Sequence, residues 1–172
     1  MQFNKHPVCL AILCRDVNPE TFDHQHYLDD AIALAKQHNA RTVVALCGEG
    51  NHTAILDYLR QEWALRDPHG NQQTPTFVTL YGGDSVQQST VVFHQYLLAS
   101  EISRDTVIKV WTDVTHVGAA RAALWNLRDF PSLKLYQYGK PTTWQRLKAK
   151  VLPASVFARV IFATNSAGAS EV

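Results

Sequence analysis

Cysteine, net charge and long apolar runs are all scarce in this chain, and each shortage excludes a class of protein. The three cysteines among 172 residues, Cys9, Cys14 and Cys47, lie inside apolar stretches. An odd count in such places reads as buried thiols in a reducing compartment, not as a disulfide framework. The formal net charge is +1, with 18% charged residues, so the overall balance calls for neither nucleic acid nor an anionic membrane as partner. Near the amino terminus the apolar run Val8–Cys14 meets Arg15 and Asp16 at once. It is too short to span a membrane and a poor signal peptide, so a cytoplasmic location is expected.

Several motifs are missing as well. There is no Walker sequence, no H-E-x-x-H and no C-x-x-C. Eight histidines are present, including His24-x-His26, His52 and His116, but none has the spacing of a zinc site, and no metal is assigned. His6, His38 and His69 read as solvent-facing, and His94 as a partly buried structural residue.

What the chain does have is alternation. Apolar residues make up 46%, enough for one domain over residues 1–172 to bury its own core. Short apolar runs stand at 8–14, 42–47, 76–81, 106–112 and 132–138. The first two are nearly uninterrupted, as for strands covered on both faces, whereas the last alternates like an edge strand. Between them lie helical stripes: Leu28, Ala31, Ile32 and Ala35; Leu56, Leu59 and Trp63; Val86, Thr90, Phe93 and Leu97; Val117, Ala120, Leu124 and Leu127. Asp23, Asn51, Asp84 or Ser85, and Thr115 are the expected caps. Five strands with four intervening helices predict an α/β fold, a three-layer Rossmann-like sandwich with a mostly parallel five-stranded sheet. Residues 141–172 are expected to form a helical extension.

In such sheets ligands bind beyond the carboxyl ends of the strands, near the point where strand order reverses. Every predicted carboxyl end here is polar or glycine-rich. Gly48-Glu49-Gly50 opens a helix after the second strand, where glycines allow close backbone approach and free N–H groups can face an anion. It lacks the third glycine of a dinucleotide fingerprint, and a plain tight turn explains it equally. Gly83 with Ser89 and Thr90 forms a second turn with hydroxyls. After the fourth strand comes Thr112-Asp113-Val114-Thr115-His116, with Arg121 on the following helix. A helix start favours a neutral imidazole, so His116 is the acid–base candidate, with Asp113 to orient it and Arg121 to hold an anion by its fork. Capping alone would also account for Asp113 and Thr115.

In order and spacing over most of residues 7–140, these pieces resemble the SanA/YdcF/ElyC-like family of α/β domains. The likeness rests on Cys47-Gly48-Glu49-Gly50, on Gln88-Ser89-Thr90, and on Thr112 to His116 followed by Arg121-Ala122. It implies a small-molecule site at the sheet edge and S-adenosylmethionine as a ligand. The leading expectation is therefore a protein that binds an anionic or nucleotide-like small molecule. Two rivals stand beside it. His116 and Arg121 are five residues apart where the family has three, which suits a non-catalytic interaction protein. Its amphipathic tail, Trp144, Leu147 and Leu152 beside Arg146 and Lys150, would dock a partner or a second subunit in a homodimer. The histidines would alternatively serve a metal-dependent hydrolase.

Overall fold

The alternation resolves into strands and helices that stack in three layers. The structure, a computed structural model, describes residues 6–139, 158–164 and 168–170. The order is β1 (Val8–Cys14), α1 (Phe22–Gln37), β2 (Thr42–Cys47), α2 (His52–Arg66), β3 (Thr76–Tyr81), α3 (Val86–Ala99), β4 (Val107–Asp113), α4 (Val117–Ala123) and β5 (Leu133–Tyr138). A 3-10 turn at Leu124–Leu127 prolongs α4. Two more strands, β6 (Ala158–Thr164) and β7 (Gly168–Ser170), complete a seven-stranded sheet of order β3-β2-β1-β4-β5-β6-β7. Strands β1 to β6 run parallel and β7 antiparallel.

Parallel neighbours require right-handed crossovers, so the reversal of strand order between β1 and β4 sends helices to both faces. On one face Leu28, Ile32, Leu59 and Trp63 from α1 and α2 pack on Ile12 and Trp111. On the other, Phe93, Leu97 and Leu124 pack on Ala11, Val110 and Leu135. Leu10, Ile12, Ile32 and Leu97 are fully buried, and each contributes roughly 1.5–3 kcal/mol by leaving water. The apolar runs of β1 and β2 are buried on both sides as expected.

Several local expectations are corrected. Helix α1 begins after Thr21, not Asp23, and ends before Asn39, whose φ of 50° suits asparagine. In α2 the buried residues are Ile55, Leu59 and Trp63, with Leu56 half-buried. Ser85 does cap α3, accepting from Gln88 N at 3.1 Å. The N-cap position of α4 is His116, one residue past Thr115, and its side chain makes no capping bond. His38 is half-buried against Tyr136, not solvent-facing. Strand β5 is not an edge, because β6 pairs along it and its polar Gln137 is buried. Residues 158–164 and 168–170 are strands where helix is expected. Val160, Ile161 and Phe162 put β-branched and aromatic residues in a row, a composition that favours a strand, and pairing with β5 realises it. The remaining tail positions expected to dock a partner lie outside the described residues.

Candidate functional site

The ladder between β1 and β4 stops short. Pairing runs from Val8↔Val107 to Ile12↔Trp111, while β1–β2 continues to Cys14↔Cys47 and β4–β5 to Asp113↔Tyr138. The two central strands therefore diverge at their carboxyl ends, where strand order reverses. Carbonyls that leave a ladder need new donors. Tyr27 of α1 answers this: its hydroxyl donates to Leu13 O at 2.7 Å and lies 3.2 Å from Trp111 O. Burial holds that phenol well above its usual pKa, so the donor persists.

Above Tyr27 the crevice opens into a cavity of about 380 Å³, within the range of small-ligand sites. Leu13, Val17, Val86, Tyr27 and Tyr138 make its apolar walls. Arg15, Asp16, Asp23, His24, Asp113 and His116 supply its charged and titratable groups, with Ser89 and Thr115 beside them.

Asp113 organises the β4 side. Its Oδ1 accepts from Thr115 N (2.9 Å), Thr115 Oγ1 (2.7 Å), His116 N (2.9 Å) and His116 Nδ1 (2.8 Å). One carboxylate thus caps the start of α4 and orients the imidazole. Burial opposes its ionisation, but the Thr115 hydroxyl, the His116 N–H and the His116 ring outweigh it and hold the pKa below the usual carboxylate value. A charged acceptor on Nδ1 puts the ring proton there and leaves Nε2 with a free lone pair. That Nε2 stands 4.0 Å from Asp16 Oδ2.

His24 is held the opposite way. Its Nδ1 lies 2.7 Å from Asn18 N, which donates to it, so a neutral ring carries its proton on Nε2. The cavity wall therefore bears one imidazole set to accept and one set to donate. Arg15 is already engaged: Nε and Nη2 reach Asp16 Oδ2 at 3.2 and 3.1 Å, and Nη1 donates to Asp84 O.

The β1 loop keeps this shape because β2 clamps it. A Cβ on Gly48 would lie 2.2 Å from Arg15 O, so only glycine lets the β2 turn lie flat on that carbonyl. Asn51, whose side chain does not cap α2, instead donates to Cys14 O (3.0 Å) and Val17 O (2.9 Å). The role of Gly48 is thus to position the loop carrying Arg15 and Asp16.

The structure brings Asp113, His116 and Ser89 to the lining of one cavity, and disperses the other candidates. Ser89 is buried and spends its hydroxyl on Gly82 O at 2.7 Å. Glu49 and Gly50 are exposed and, like Gly48, are not among the lining residues. Gly83 takes φ +73° in the turn before α3. Thr90 donates to Gln87 O and accepts from Asn126, tying α3 to the 3-10 turn. Thr112 is fully buried, and its hydroxyl has no partner among the described residues. Arg121 does not line the cavity. Cys47 is fully buried with its thiol pushed up to about 12 by burial, which leaves it inert as a nucleophile. Among the described residues no three of histidine, cysteine, aspartate and glutamate are grouped to hold a metal ion. No described helix is long and apolar enough to cross a membrane.

The chain matches no family model and no curated protein.

Of the cavity residues, Tyr27 and Tyr138 carry no motif, and Arg15, Asp16, Asp23 and His24 stand in the sequence as a strand end, a cap and half of an H-x-H pair, not as assigned site residues. The signal for them was topological. In a sheet that reverses between β1 and β4, the loop after β1 must face the site.

Proposed function

We propose that this chain binds a nucleotide-like small molecule in the β1–β4 cavity, as the likeness to the SanA/YdcF/ElyC-like family implies. The observation that carries the reading is His116, oriented by Asp113, on the wall of a cavity at the point where strand order reverses. Nucleobases and ribose present donors and acceptors side by side, and the opposite tautomers of His24 and His116 match both.

Charge narrows the class. Asp16, Asp23 and Asp113 face a single guanidinium, Arg15, whose fork is largely engaged. Neutral or cationic nucleosides are expected to bind more tightly than polyphosphates, and Arg15 takes the place foreseen for Arg121 if the ligand also carries an anionic group. S-adenosylmethionine suits these groups: its ammonium and ribose hydroxyls donate to acceptors such as Asp16, Asp23 and His116 Nε2, and the carboxylates balance its sulfonium charge. For a ligand with an acidic proton at that spot, Nε2 is the base and Asp113 stabilises the resulting imidazolium.

Thermal unfolding against nucleosides, nucleotides, S-adenosylmethionine and sugar phosphates tests the proposal. A ligand at about 100 times its dissociation constant adds roughly 2.7 kcal/mol. The shift should vanish in His116→Ala and weaken in Asp16→Asn. A panel without a shift, or a shift untouched by both substitutions, refutes the assignment.

A further inference from the structure

Strand β3 is an open edge, and its sequence, Thr76-Phe77-Val78-Thr79-Leu80-Tyr81, holds no charge and no proline. Soluble proteins commonly protect such an edge with lysine, proline or a bulge, or cover it. None of the first three is present here, and among the described residues no strand pairs beyond it.

The hydrogen bonds at its two ends define which groups are free. Thr76 N donates to Arg41 O at 2.9 Å and Gly82 N to Cys47 O at 2.8 Å. Residues alternate along a parallel strand, so Thr76, Val78 and Leu80 turn their backbone groups to β2. Phe77, Thr79 and Tyr81 turn theirs outward.

That outward set is symmetric about Thr79. Laid antiparallel on a second copy, Phe77 faces Tyr81, Thr79 faces Thr79, and each facing pair exchanges two N–H···O bonds. Aromatic–aromatic and Thr–Thr pairs are favourable across strands, and no like charges meet within the ladder. The flanks are complementary too. Arg60 borders the hollow at the Phe77 end, with Asp67 occupied by the backbone of Asn71 and Gln72, while Asp84 bonds Tyr81 at the other end. A two-fold axis brings unlike ends together.

We propose that two copies of this chain join antiparallel through β3, about a two-fold axis at Thr79, into one continuous sheet. This interface lies away from the β1–β4 cavity, so it stands or falls independently of the ligand assignment. A second copy suits this edge better than an arbitrary peptide because the edge complements itself.

Sedimentation of the full chain across a concentration series decides the matter, with circular dichroism to confirm folding. The wild type should sediment as a dimer that dissociates on dilution. Thr79→Pro removes an N–H that serves no bond among the described residues, and should yield a folded monomer. Thr79→Lys sets two like charges opposite each other, and should raise the dissociation constant at least about tenfold. It carries the same test should the proline variant not fold. A wild type that stays monomeric at tens of micromolar, or dimers that survive folded Thr79 variants, overturns the proposal. So does a monomer that takes up an unrelated extended peptide on β3.

Discussion

Replacing Asp113 with asparagine tests the organisation of the site at its centre. The amide oxygen still accepts from the start of α4, but the charge is gone and the second oxygen becomes an N–H₂ donor. A hydrogen bond to a charged group is worth about 1.5–3 kcal/mol. The Asp113 side chain is 37% exposed, so screening places the expected loss at the lower end, about 1.5 kcal/mol. For a domain of this size that is a fall in melting temperature of about 3–6 °C at pH 7.

The pH dependence has a definite sign. Asp113 has a lower pKa folded than unfolded, so its contribution is complete above the unfolded value near 4. It is lost as pH falls through the lower folded value. The gap in melting temperature between wild type and Asp113→Asn should therefore be full at pH 6–7 and close toward pH 3. Calorimetry over that range measures it, and nitrogen NMR should report the His116 proton on Nδ1 in the wild type and on Nε2 in the variant. An equal gap at both ends of the range, or an unchanged tautomer, would show that the carboxylate does not orient the ring.

Three further outcomes follow from packing and burial. Gly48→Ala drives a methyl group into Arg15 O and should cost about 1–3 kcal/mol in urea unfolding, with weaker ligand binding as the β1 loop shifts; a neutral substitution would contradict the close approach. Cys9 and Cys47, whose thiols burial raises to about 12, and the fully buried Cys14 should resist thiol reagents until denaturant is added, and rapid labelling of the native protein would refute their burial. His38 has its pKa lowered to about 4, chiefly by burial and then by Lys109 and Lys134. Its folded value lies below the unfolded one, so stability falls as pH drops from about 6.5 toward 4, and His38→Gln should flatten that slope in a pH series of melts.

Much of the layering was legible because apolar periodicity reports burial directly. Leu28, Ala31, Ile32 and Ala35 all reach the core, as do the near-continuous runs of β1 and β2. Strand order was not legible, since right-handed crossovers admit several arrangements, so Arg15 and Asp16 at the polar end of β1 could not be ranked above the other strand ends. His24 stands out only as half of an H-x-H pair, and Tyr27 carries no spacing signal; a hydroxyl bridging two diverging carbonyls is visible only once β1 and β4 are known to be neighbours. Asp113 and His116 were readable because strand end, cap and imidazole fall within four residues. Asn51 was read as a cap for its own helix, but its amide serves another loop, a long-range choice that local propensity does not encode. The tail misled for a related reason: its apolar residues suit either a helix face or a strand, and the partner strand decided for 158–164.

The crevice between β1 and β4 also has a mechanical meaning. The sheet separates the core under α1 and α2 from the core under α3 and α4, and each could loosen on its own. The cavity is lined from both sides, by Asp23 and Tyr27 of α1 and by Val86 and Ser89 of α3. A ligand seated there acts as a rivet through the sheet, making the two layers open together. Its signature would be slowed amide exchange in α1 and α3 at once, on opposite faces of the molecule.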